Sequence, residues 1–162
     1  MGKNCEEFSV RGIVLDKQTD EPSVLLESRT RKKSFVCINV GPYEASSIIL
    51  QMEGLKPPAP LAYDLVAQIL SNHRMRLISV EIYGLIEESY AARVTYRSTF
   101  RTHHLDIRPS DGIALAVRLG KPILVSAEVV SYNQWTTSLV QDVANGADVL
   151  LLDPALAVSG LA

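Results

Sequence analysis

The chain of 162 residues has only two cysteines, Cys5 and Cys37. They make neither a disulfide framework nor a metal-ligand spacing, and they read as reduced thiols of a cytoplasmic protein. No run approaches the ~20 apolar residues of a membrane span, so no membrane partner is expected. Met1 to Glu7 lacks an apolar core, and no secretory signal is read there. A basic excess is missing too: 16 Lys and Arg stand against 18 Asp and Glu, for a net charge of −2. Any nucleic-acid partner must therefore be met by a local patch. Several dedicated chemical motifs are absent. There is no glycine-rich phosphate loop of the Walker type, no Gly-x-Ser-x-Gly elbow and no histidine pair at i, i+4. No organic cofactor is implied. Repeats and low-complexity segments are also absent. What remains is an ordinary globular composition, 47% hydrophobic and 21% charged, in a chain long enough for one domain with its own core.

One stretch, Asp106 to Pro122, organises the rest. Pro109 disfavours the helical region for Arg108, so the chain enters extended. Pro109 is also pre-set for the first helical turn, and Ser110 or Asp111 can cap the free N–H groups. Ile113, Ala116 and Val117 share one helix face. Gly120 supplies the stop, and Pro122 prevents continuation. The mouth of this turn gathers Asp106, Arg108, Ser110 and Asp111 within six residues.

Upstream, strands are expected at Phe8–Leu15, Ser23–Glu27 and Ser34–Val40, with a turn over Asp16–Pro22. The basic turn Arg29–Lys33 is either a solvated hairpin tip or a phosphate contact. Gly41-Pro42 opens a helix whose apolar face is Ala45, Ile48, Ile49 and Met52, closed by Gly54. Leu55–Pro60 is a stiff connector. A second helix, Tyr63–Asn72, carries Val66, Ile69 and Leu70 as its buried stripe, continued by His73. Glu44 and Asp64 lie in first turns, where a carboxylate either suits the helix dipole or serves chemistry.

Arg76–Ile86 alternates as a strand, with Ile78, Val80, Ile82 and Ile86 on one face and Ser79, Glu81 and Tyr83 on the other. Tyr90–His103 reads as one long strand with Ala92, Val94, Tyr96 and Phe100 on one face. Arg93, Arg97 and Arg101 share the other face, roughly 13 Å apart at the usual strand rise. That face is either a charged edge that resists pairing or an electrostatic track for a nucleic-acid backbone. Pro122–Val125 is a buried strand, and Glu128–Val130 extends it or begins another turn. Trp135–Asn145 is an amphipathic helix, and Val149–Pro154 is apolar without period. Together these predict an α+β fold, one compact domain with a largely antiparallel or mixed sheet and three or four helices. Residues 1–7 are a tail and 8–130 the domain. Residues 131–162 are a C-terminal helix and apolar tail, packed on the domain or on another subunit.

The run Asp106-Ile107-Arg108-Pro109-Ser110-Asp111-Gly112-Ile113-Ala114-Leu115-Ala116 resembles the signature of the bifunctional nuclease domain family. Gly41-Pro42-Tyr43-Glu44-Ala45 and Ala59-Pro60-Leu61-Ala62-Tyr63-Asp64-Leu65 agree with that family in order. The resemblance spans roughly Phe8 to Val130. At Tyr63 the sequence departs from the family pattern, which usually has His. The resemblance implies a nuclease acting on DNA and RNA. With the predicted sheet edges, it also implies a homo-oligomer, a dimer in the simplest case.

A phosphodiester hydrolase must activate water, neutralise the charge developing on the phosphoryl group and favour the leaving alkoxide. Clustered carboxylates with Mg²⁺ or Mn²⁺ serve all three needs. The motif matches therefore nominate Asp106, Asp111, Glu44 and Asp64 as catalytic, with Asp106 and Asp111 as metal ligands. Arg108 is the charge clamp and Ser110 a donor to phosphate, and Arg93, Arg97 and Arg101 are substrate contacts. The same turn also has a structural reading, because caps and corners need these residue types. The protein is then a non-catalytic, oligomeric regulatory module that binds nucleic acid or another ligand.

Overall fold

The computed structural model describes residues 4–15 and 20–136. Among these described residues, seven segments form strands: β1 (Cys5–Leu15), β2 (Pro22–Ser28), β3 (Phe35–Asn39), β4 (Arg76–Ile86), β5 (Ser89–Arg97), β6 (Thr102–Ile107) and β7 (Ile123–Ser126). Four helices accompany them: α1 (Pro42–Met52), α2 (Ala62–Asn72), α3 (Pro109–Leu119) and α4 (Ala127–Thr136). The strands make one mixed sheet in the order β3-β2-β1-β7-β4-β5-β6. Only β4 and β7 pair in parallel; every other neighbouring pair is antiparallel. The α+β architecture is the one expected.

In β3, Phe35, Val36, Cys37 and Ile38 are all buried, so β3 is covered on both faces, unlike a strand with one wet side. Asn133 of α4 explains part of the cover. Its amide accepts from the Cys37 N–H at 2.9 Å and donates to the Cys37 carbonyl at 2.7 Å. It also donates to the Tyr90 hydroxyl at 2.7 Å. Cys37 lies on β3 and Tyr90 on β5, near opposite ends of the sheet, so the sheet curls until those ends approach α4. Fully buried Asn133 thus satisfies its polar atoms within the fold, as buried polar groups must.

Several expectations need correction. Tyr90–His103 is not one strand. The Ser98 N–H donates to the Arg101 carbonyl at 2.9 Å and closes a tight turn. The chain then returns as β6, with Arg97 opposite Thr102 and Tyr96 stacked on His103 at 4.9 Å. Phe100 consequently sits at the tip, 93% exposed, and Arg93, Arg97 and Arg101 do not form one stripe. In β4, a register shift between Leu77 and Ser79 turns Leu77 inward and leaves Ile78 exposed; such a bulge inserts one unpaired residue and breaks the alternation. Ile86, at the strand's end, is also exposed.

Helix faces also differ. In α1, Leu50 is buried and Met52 is exposed. In α2, Leu65, Val66 and Ile69 face solvent, while Tyr63 and Leu70 pack on the core. Glu128–Val130 is helical, because α4 begins at Ala127. Residues 16–19, residues 137–145 of the expected last helix, and the run Val149–Pro154 lie outside the described residues. Among the described residues, no helix is long and apolar enough to cross a membrane.

Candidate active site

The corner between β6 and α3 is built as Pro109 dictates. Arg108 is the extended residue before the helix, at φ −65° and ψ 141°. Neither Ser110 nor Asp111 caps the helix with its side chain. The Asp111 carboxylate turns instead to Arg108 and Tyr63. Gly112 lets α3 settle against the sheet: a Cβ there would lie 2.7 Å from Val80 Cγ1 and 3.2 Å from Ile107 Cδ1. Gly120 ends the helix in the left-handed region at φ 61°.

Arg108 is the centre of the cluster. Its Nε donates to Asp111 Oδ2 at 2.7 Å, and its Nη2 donates to Asp111 Oδ1 at 3.0 Å. The same Nη2 donates to Glu44 Oε1 at 2.8 Å. The Tyr63 hydroxyl completes the set by donating to Asp111 Oδ1 at 2.8 Å. Three chain segments thus converge: α1 brings Glu44, α2 brings Tyr63, and the α3 corner brings Arg108 and Asp111. With Tyr43, Ser47, Leu61 and Ala62 they line a cavity of about 310 Å³. Arg108 also borders a wide concavity of about 1050 Å³, together with Asp106, Ser110 and Tyr83.

Gly41 has a part in this arrangement that its position before a helix does not reveal. A Cβ on Gly41 would come within 2.3 Å of Glu44 Oε2. The missing side chain leaves the space in which the Glu44 carboxylate folds back toward Arg108.

The electrostatics follow from burial and these bonds. Burial pushes the Asp111 carboxyl up, but hydrogen bonds from Arg108 and Tyr63 outweigh it and hold the group below its ordinary range. Burial first, and then the bond to Asp111, push the Tyr63 phenol above its ordinary value, so it stays a donor. Hydrogen bonding to Asp111, then to Glu44, strengthens the proton hold of Arg108. The guanidinium side chain is 67% exposed. Its Nη1 makes no hydrogen bond among the described residues, which leaves two of its five donors for an incoming anion.

The four nominated carboxylates do not share one site. Glu44 and Asp111 meet at Arg108. Asp106 pairs across the hairpin with Arg93 at 2.8 Å, and Arg93 also lies over the Tyr83 ring at 4.9 Å. Asp64 accepts from the Leu61 N–H at 2.7 Å and pairs with Arg118. Arg118 donates in addition to Gln51, so Asp64 fastens α2 to α3 and α1. Ser110 is buried beside the wide concavity. The basic turn is tied down as well: Arg29 pairs with Glu7 and Arg31 with Glu6, and the bond from Arg31 chiefly holds Glu6 down at about 2.

Among the described residues, no group of three or more His, Cys, Asp or Glu is placed to hold a metal ion. The pair that does converge already shares a cation, the guanidinium. Mg²⁺ prefers near-octahedral oxygen coordination, and two carboxylates bonded to an arginine supply too few oxygens to fit it. Tyr63 is the site residue that residue-type reasoning passes over. Its signal was its place in a motif where the family usually carries another hydrogen-bonding side chain.

Comparison with known proteins shows the family. The family model described as the bifunctional nuclease domain matches residues 24–138. Two Mycobacterium tuberculosis proteins are each 30% identical to this chain over 125 residues, which is 77% of this chain and 74% of theirs. They are uncharacterized protein MT1877 of strain CDC 1551 / Oshkosh and uncharacterized protein Rv1829 of strain ATCC 25618 / H37Rv.

Proposed function

The chain belongs to the bifunctional nuclease domain family, and from that premise we propose that it hydrolyses phosphodiester bonds of DNA and RNA at Arg108. The observation that carries the reading is the convergence of three separated family motifs on one exposed guanidinium with two free donors. Arg108 receives a non-bridging phosphate oxygen through Nη1 and stabilises the charge that grows in the transition state. Asp111 positions Arg108 through two hydrogen bonds, and Tyr63 keeps Asp111 ionised and oriented. Glu44 is held by one bond only, so an arriving phosphate that competes for Nη2 releases it to orient and deprotonate water. The wide concavity beside Asp106 and Ser110 takes the nucleic-acid strand. No step is assigned to Mg²⁺ or Mn²⁺, and cleavage with each ion and with chelator measures their part directly.

A second reading, a non-catalytic binding module, is favoured by one observation: Arg108 is closed on two carboxylates, as a structural corner would be. Self-association belongs with either reading, since Leu65, Val66 and Ile69 present an apolar face of α2 to solvent. The discriminating experiment compares cleavage of single-stranded RNA and DNA by wild type, Glu44→Gln and Asp106→Asn. Glu44→Gln is expected to lower the rate about 10²- to 10⁴-fold, the range that a positioned general base contributes. Asp106→Asn is expected to stay within a few-fold of wild type. Equal traces of cutting in all three proteins would favour the binding module.

A further inference from the structure

Of the ten arginines in the chain, six are ion-paired with carboxylates. The other four, Arg74, Arg76, Arg97 and Arg101, have no such partner among the described residues, and they fall together at one end of the sheet. Arg76 of β4 stands directly opposite Arg97 of β5. Arg101 closes the β5–β6 turn. Arg74 occupies the turn before β4, in the left-handed region at φ 55°. Lys121 borders a cavity of about 440 Å³ with Arg74 and Arg76.

Like charges directly across a strand pair are destabilising. Elsewhere arginines are met by carboxylates; among the described residues none pairs with these four. The segments that meet at this end, residues 65–80, 94–105 and 117–127, contain no Asp or Glu. An acidic chain thus keeps one uncompensated basic end. Phe100 projects from the same turn, 93% exposed. A bare aromatic ring on the turn that carries Arg97 and Arg101 has the composition of a single-strand platform, in which cations take phosphates and the ring stacks a base.

We propose that this end of the sheet binds single-stranded nucleic acid, with Arg74, Arg76, Arg97 and Arg101 on the phosphates and Phe100 stacked on one base. It lies at the far end of β6 from Arg108, roughly 20 Å away at the usual strand rise. It rests on the nuclease reading for its purpose, a grip on the strand away from the scissile bond, but its binding is measured without cleavage. An anionic lipid surface would attract the same charge. Stable attachment there takes a broad apolar face, and this tip offers a single ring.

The test is fluorescence anisotropy of a labelled oligonucleotide of about 20 residues in chelator over a salt series. Four phosphate contacts at about 0.7 each predict a log–log salt slope near −2.8 for wild type, and about −1.4 for the double variant Arg97→Gln/Arg101→Gln. Phe100→Ala is expected to weaken binding about 5- to 150-fold, the range for one lost stacked base. Arg11→Gln, on β1 and already paired with Glu27, serves as the control and keeps wild-type binding. The positions are exposed, and circular dichroism verifies that each variant is folded. Unchanged affinity and slope in the variants would overturn the proposal. So would binding to phosphatidylserine vesicles without binding to the oligonucleotide. Binding that follows these slopes in a protein that cuts nothing would remove the nuclease reading and leave this surface standing.

Discussion

Tyr63→Phe isolates one bond of the Arg108 cluster. The substitution removes a hydroxyl that donates to Asp111 Oδ1 at 2.8 Å and leaves the ring packing in place. Hydrogen bonds to charged groups contribute about 1.5–3 kcal/mol, and water reaching the half-buried phenol and the partly exposed Asp111 reduces this to about 1–2 kcal/mol. For a domain of this size that corresponds to a fall in Tm of about 2–8 °C. The pH dependence fixes the cause. Asp111 has a folded pKa held below its ordinary value. Its contribution is therefore present above the unfolded pKa of about 4, and it is lost as pH falls through the folded value. The gap between wild type and Tyr63→Phe should be full near pH 7 and narrow below about pH 4. Tyr63 itself has a raised pKa. Its contribution is full below the unfolded value of about 10 and is lost only at more alkaline pH. Urea denaturation of both proteins across the acid range measures the gap. No gap at neutral pH, or one of constant size into acid, would refute the idea that this bond stabilises an ionised Asp111.

Other consequences are equally direct. Gly112→Ala places a Cβ against Val80, and overpacking of this kind should cost about 1–3 kcal/mol in denaturant unfolding. Gly41→Ala displaces only the flexible Glu44 carboxylate, so cleavage should fall at least about tenfold with stability changed by less than about 1 kcal/mol. Asn133→Ala leaves both backbone groups of buried Cys37 short of a partner. The loss expected in chemical denaturation is about 2–4 kcal/mol, as for other buried polar groups left unsatisfied.

Much of the fold was legible because hydrophobic period and turn chemistry agree over β1 to β3, α1, the Pro-rich connector and α3. The misreadings have local causes. Arg97-Ser98-Thr99-Phe100-Arg101 contains no Gly, Pro, Asn or Asp, so nothing announced the turn that splits β5 from β6. The bulge at Ile78 reverses the side-chain parity of β4, which alternation alone does not disclose. The stripe on α2 has helical spacing, but spacing does not say whether a covering surface exists. In the site, the residue types at Glu44, Arg108 and Asp111 were readable, whereas their grouping required the tertiary path. Asp64 and Asp106 sit in equally persuasive sequence settings and are drawn off by Arg118 and Arg93. Gly41 and Gly112 matter through the atoms a Cβ would meet, which come from elsewhere in the chain.

The most direct measurement is the rate at which wild type and Arg108→Lys, prepared side by side, cut single-stranded RNA and DNA. Lysine keeps the charge but loses the planar fork that holds Asp111 and Glu44 while presenting Nη1. Wild type is expected to cut, and the variant to lose about 10²-fold or more, as for other lost transition-state contacts. Equal rates in two folded proteins would contradict it and place the chemistry away from Arg108.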